Sequence, residues 1–287
     1  MKLKTIFFIL LAPSIFTGIN AQELYPYSEP ASNMPAQSIS LKMGTMLHKT
    51  VHSNELKQRH MPEIMFGISK EWMVHAGINF SDMHQDKMKF EALRFYTKYR
   101  FLSLDELHKH FRMAAFAAGN YSKNHLDHNE INMMGDQSAI QVGLIATQLW
   151  HKLAISGTGS LVEVVDKERW SKQNQGNYAF RAFNYSLSAG YLLFPKDYTD
   201  YNQTNINLYA ELIGSRNINF PMEKYFVDLA PSIQFIFKST AKLNFGYRFQ
   251  LSSDIYRIAD RSYLISYEHI FLNALKRKKR TITETVL

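Results

Sequence analysis

Lys242-Leu-Asn-Phe-Gly-Tyr-Arg-Phe-Gln-Leu251 sets Leu243, Phe245, Tyr247, Phe249 and Leu251 against Lys242, Asn244, Gly246, Arg248 and Gln250. Apolar and polar residues alternate without a break, which is the period of a β-strand with two unlike faces. Such a strand suits a soluble sandwich, whose polar face meets water. It also suits a membrane barrel, whose apolar face meets lipid and whose polar face lines the interior. The rest of the chain has to decide between the two.

The chain begins with Lys2 and Lys4, an apolar run over residues 6–12 and small residues ending in Ile19-Asn20-Ala21. This order predicts a secretory signal peptide over residues 1–21, cleaved after Ala21. The run is too short for a membrane-spanning helix, which needs about 20 apolar residues. No later run is long enough either, so a membrane form of this chain has to be a barrel.

The absence of cysteine excludes disulfides, thiolate metal sites and lipoprotein attachment. The formal charge is +8, but it is concentrated at the ends. Two of these charges belong to Lys2 and Lys4. Four more belong to the tail, where Lys276, Arg277, Lys278, Lys279 and Arg280 outweigh Glu284, leaving a body near +2. A body so close to neutral gives no reason to expect nucleic acid as a partner.

Residues 22–37 hold Pro26, Pro30 and Pro35 and are expected as an extended periplasmic lead-in. Over residues 38–271, twelve segments show period-two character, at about 38–47, 62–69, 73–82, 93–101, 111–122, 138–149, 152–164, 182–193, 204–213, 225–237, 242–251 and 262–271. The fifth is the weakest, because Ala114, Ala115, Ala117 and Ala118 also suit a helix. Tight connections at 70–72, 150–151 and 238–240 alternate with longer polar ones at 48–60, 83–88, 123–135, 166–178 and 215–223. Two connections on the tight side, 103–109 and 194–201, are longer than that pattern wants.

Short periplasmic turns opposite long outer loops are the asymmetry of an outer-membrane barrel. Aromatic residues near predicted strand ends, such as Trp72, Trp150, Tyr191, Tyr225 and Phe271, suit interfacial girdles. The fold expected is all-β, a transmembrane antiparallel up-and-down barrel of about 12 strands in the cell outer membrane, with residues 272–287 as a basic periplasmic tail. Outer-membrane lipid and the barrel assembly machinery are the partners this implies. The tail reads as solvated or as a contact for anionic lipid or cell-wall polymer.

Several blocks carry a resemblance. They are Ser-Glu-Pro-Ala-Ser-Asn-Met-Pro at 28–35, Met-Val-His-Ala-Gly at 73–77, Lys-Tyr-Arg-Phe-Leu-Ser at 98–103, Tyr-Ser-Leu-Ser-Ala-Gly-Tyr-Leu-Leu at 185–193 and Leu-Asn-Phe-Gly-Tyr-Arg-Phe at 243–249. The chain resembles an uncharacterised group of Gram-negative outer-membrane barrels that is loosely similar to the transporter family named for the meta-pathway of phenol degradation. The resemblance implies a barrel. It supplies no substrate and no catalytic residue.

Alternation places Arg94, Lys98, Arg100, Glu211, Asp228, Lys242, Arg248 and Glu268 on the inner face. Opposed charges there either pair and fill the lumen or, through the Arg94, Lys98, Arg100 column and Arg248, set the ion preference of a pore. His48, His52, His60, His84, His125 and His128 fall in predicted outer loops, near Met61, Met83, Met88, Met133 and Met134. Imidazole with thioether would suit capture of a copper-like metal ion. No cofactor is called for. No nucleophile elbow, zincin motif or phosphate loop is present, so covalent chemistry is not expected. The function expected is an outer-membrane channel or transporter for a small solute. The alternative is a plugged structural or binding barrel that captures metal ions through its outer loops.

Overall fold

A computed structural model describes residues 25–51, 53–124, 128–166, 179–196, 202–220, 222 and 224–276. The expected signal peptide and most of the basic tail lie outside the described residues. Twelve antiparallel strands form the wall: β1 (Ser38–Thr50), β2 (Leu56–Gly67), β3 (Trp72–Ser81), β4 (Lys89–Asp105), β5 (Lys109–Ser122) and β6 (Ala139–Trp150) make up one half. The other half is β7 (Leu153–Val164), β8 (Arg181–Phe194), β9 (Asn205–Asn217), β10 (Tyr225–Phe237), β11 (Ala241–Ser253) and β12 (Ala259–Phe271). Each strand pairs with its sequence neighbours, and β1 pairs with β12, from Ile39 opposite Phe271 to Thr50 opposite Ala259. Closure leaves no sheet edge unpaired.

The faces follow the alternation. On β11, Lys242 and Asn244 are buried while Phe245 and Leu251 are exposed. Around the wall, Phe95, Leu144, Leu187, Leu212 and Ile265 are exposed in the same way. A water-soluble protein rarely shows so continuous an apolar surface, and a bilayer requires one. Trp72, Trp150, Tyr191, Phe237 and Phe271 stand exposed at the tight-turn end, and Tyr121, Tyr225 and Tyr263 toward the other. The alanine-rich fifth segment is a strand. Its Ala114 and Ala118 face inward and leave room for the interior chain, whereas a helix there would leave a gap in the ladder.

Two connections are corrected. The predicted outer loop at 48–60 shrinks to residues 51–55, because β1 and β2 continue past the apolar belt and carry His48 and His60 as strand residues. Beyond the bilayer both faces are wet, so the apolar alternation fades while the backbone ladder runs on. Likewise 103–109 shrinks to a three-residue turn, since β4 extends to Asp105 with a register shift between Arg100 and Leu102.

Residues 25–37, expected as a lead-in outside the wall, instead cross the interior before entering β1. Tyr25 packs edge-on against Tyr209 of β9, and Gln37 N–H donates to the Gly67 carbonyl of β2, across the barrel. The crossing needs small residues beneath it. A Cβ on Gly246 would sit 2.7 Å from the Tyr27 ring, and one on Gly67 would run into the Pro35 carbonyl.

Candidate functional site

Two pieces of chain that belong to no strand obstruct the lumen. The first is the crossing segment. The Glu211 carboxylate accepts from the backbone N–H groups of Tyr27 (3.0 Å) and Ser28 (2.8 Å). The Ala31 N–H donates to Thr147 Oγ1 at 2.8 Å. Lys98 Nζ donates to the carbonyls of Pro30 (2.6 Å) and Ser32 (2.9 Å) and lies 3.5 Å from Glu29, and Arg112 donates to Ser32 Oγ at 2.9 Å. The segment's orphaned backbone groups are thus satisfied by side chains of the wall, as burial requires.

The second obstruction is the connection between β5 and β6, whose described residues 128–138 fold inward at the long-loop end. Asp136 is paired with Arg59 of β2 and lies 3.0 Å from His84 Nε2; Arg59 also donates to Glu91 of β4 at 2.9 Å. Glu130 holds Arg257 at 3.0 Å, and Arg257 in turn pairs with Asp228 (2.7 Å), which also holds Arg248 at 2.6 Å. Two alternating rows of charge therefore end on the loop, Glu91, Arg59 and Asp136 from one wall and Arg248, Asp228, Arg257 and Glu130 from the other. Ile131 and Met133 point down from the loop and pack with Tyr96, Phe116 and Ile145.

Burial alone would hold Asp136 up. The Arg59 charge and the His84 contact outweigh it and keep the carboxyl well below the usual range. Burial likewise opposes charge on His84, but its hydrogen bond and attraction to Asp136 win, so its pKa is raised.

Between the obstructions lie cavities of about 200 Å³ and about 110 Å³ that share Tyr27, Glu29, Arg94, Tyr96, Met133 and Met134 in their linings. The crossing segment is their floor and the β5–β6 loop their roof.

Of the inner-face charges read from the sequence, Lys98, Glu211, Asp228, Lys242, Arg248 and Glu268 meet one another or the crossing segment. Lys242 and Glu268 meet at 3.0 Å, Arg248 and Asp228 at 2.6 Å, and Lys98 and Glu211 hold the crossing segment. Arg100 sits beside the Glu71 turn, where its N–H donates to the Glu71 carbonyl at 2.8 Å. Arg94 faces the cavities. The four described histidines of the six do not converge. His48 lies on the inner face of β1, whereas His60 lies on the outer face of β2 bonded to Thr45 at 2.9 Å. His128 stacks on Tyr256, and His52 and His125 lie outside the described residues. Among the described residues only His84 of these approaches other ligand types, Glu91 and Asp136, and the cation already between those carboxylates is the Arg59 guanidinium.

Sequence reasoning missed Arg59, Arg257 and Glu130. Arg59 lies within the predicted outer loop at 48–60, and Glu130 and Arg257 are 127 residues apart. An apolar Ile131 and Met133 inside a polar connection was the available signal for an inward fold.

No protein-family model and no curated protein matches the chain. Among solved structures it is similar to an outer membrane channel from Pseudomonas putida F1, with a TM-score of 0.58 and 10% identity over 87% of this chain and 100% of that one. It is also similar to the KdgM porin, with a TM-score of 0.51 and 7% identity over 81% of this chain and 99% of that one. The likeness lies in the fold, and together with the apolar exterior it identifies a closed twelve-stranded barrel of the outer-membrane type.

Proposed function

We propose that this protein is an outer-membrane channel for a small solute, closed at rest by the crossing segment below and the inward loop above. The observation that supports this most is a chamber bounded by two pieces of chain that take no part in the strand ladder. Either can move without breaking a hydrogen bond between strands, so the barrel can open while remaining closed as a sheet.

Planar-bilayer recording of the purified protein tests it. Discrete conductance steps that grow when residues 25–37 are deleted are expected. A deletion variant that keeps its heat-modifiable gel migration yet stays silent would make this a plugged binding barrel instead.

A further inference from the structure

The inner wall carries a row of alternating charge set by strand register. Lys242 stands opposite Glu268, Glu268 opposite Lys42, and Lys42 opposite Glu63. The next position, on β3, is Gly77, and beyond it on β4 stands Arg94. Glycine breaks the row, so Arg94 has no side chain beside it on β3. Its neighbour on the other side, Asn120 of β5, donates to the Gln137 carbonyl at 2.7 Å.

The nearby acids are engaged elsewhere. Glu63 meets His75 at 3.1 Å, Glu29 meets Lys98 at 3.5 Å and Asp228 takes Arg248 and Arg257. Among the described residues Arg94 makes no hydrogen bond or ion pair, and its buried Nε has no partner. Buried Tyr96 Oη and His75 Nε2, and Tyr27 Oη from the crossing segment, also lack partners and border the smaller cavity, which Arg94 lines too. Buried polar groups of native proteins are almost always satisfied, so four together, centred on a guanidinium, form a prepared site for an acceptor. The larger cavity also has apolar lining, from Phe116, which stacks on Tyr96, and from Ile131, Ile145 and Phe226, among polar residues such as Gln141 and Asn184.

We infer that Arg94 is the anion-binding residue of this chamber, and that its solute is a small organic carboxylate with an apolar body. The carboxylate takes the guanidinium fork, the tyrosine hydroxyls donate to its remaining lone pairs, and the body lies against Phe116 and Ile145. This rests on the chamber being a solute site of the proposed channel.

Isothermal titration of the purified full barrel with hexanoate, hexanol and hexylamine tests the inference. Saturable binding of hexanoate is expected, at least tenfold tighter than hexanol, with none for hexylamine. R94Q should lose at least tenfold, R94K less, and Y96F least. Equal binding of acid and alcohol would overturn it, as would an R94Q variant that keeps the barrel's gel migration and full hexanoate affinity. If R94Q does not fold, R94K and Y96F carry the test, and unchanged affinity in both overturns it. Channel recordings separate the two readings. Hexanoate binding without conductance removes the channel and leaves the site, while conductance without hexanoate binding removes the site and leaves the channel.

Discussion

Residues 25–37 are held in the lumen largely through backbone groups: the N–H groups of Tyr27, Ser28 and Ala31 and the carbonyls of Pro30 and Ser32 meet Glu211, Thr147 and Lys98. Residues 128–138 share that kind of contact, since carbonyls of Asn129, Met134, Gly135 and Gln137 accept from Asn217, Asn79, Ser122 and Asn120, but they add two carboxylates, Glu130 and Asp136, each clamped by one arginine. The five backbone contacts of residues 25–37 are shared among three wall side chains, so the loss of one side chain leaves the others in place. Ion pairs are few, so each matters. The prolines add to the difference, because Pro26, Pro30 and Pro35 fix their own φ and lower the entropy lost when the floor is ordered. The floor should therefore yield to deletion, and the roof to a single substitution.

The largest effect is expected from removing residues 25–37. Single-channel conductance should rise severalfold with the wall intact, as judged by the shift in gel migration on boiling. Conductance equal to that of the full chain would place the limiting constriction at the roof alone.

Next is Arg59→Gln, which leaves Glu91 and Asp136 facing one another without their shared cation. Breaking a buried pair from one side costs about 3–5 kcal/mol, and here the strain can be relieved by displacing the loop. Amides of residues 128–138 should exchange faster with deuterium while those of residues 26–33 do not. Uniform exchange in both would show that floor and roof are one unit.

These two regions also mark the limit of what the sequence made legible. Strand positions and faces were readable wherever lipid outside and polar groups inside enforce alternation, as on β8 through β11, where Glu211, Asp228, Lys242 and Arg248 fall on the inner face. Near the outer mouth that contrast disappears, which hid the strand residues His48 and His60. Neither obstruction has a period. The contacts of the floor lie as far as 184 residues away, between Tyr27 and Glu211, and a proline-bearing segment looks the same from its sequence whether it is solvated or enclosed. The pairing of Lys242 with Glu268 follows once the register is known, but the isolation of Arg94 depends on Gly77 two strands from the seam.

A smaller and opposite selectivity is expected for Gly246→Leu. The added side chain overlaps the Tyr27 ring from beneath, and overpacking of this kind costs about 1–3 kcal/mol. Because the conflict lies at the floor, exchange should quicken near residues 26–33 and stay unchanged at residues 128–138, the reverse of Arg59→Gln. A drop in thermal stability with no local change in exchange would mean that the wall, and not the floor, absorbs the leucine.

The smallest effect should come from pH, and it acts on the roof alone. The His84 pKa is raised above its ordinary 6.5 by Asp136, so the closed loop favours protonated His84. For a raised pKa, the stabilisation is complete below the ordinary value and is lost as pH climbs through the raised one. Asp136 keeps Arg59 throughout, so losing the histidine charge should weaken closure by only about 1 kcal/mol. Between pH 6 and 9 the loop amides should therefore show a modest rise in opening, after correction for intrinsic exchange, and His84→Gln should abolish the pH dependence. The floor, whose contacts include no histidine of this kind, should show none. A pH response that persists in His84→Gln would assign the switch to another group.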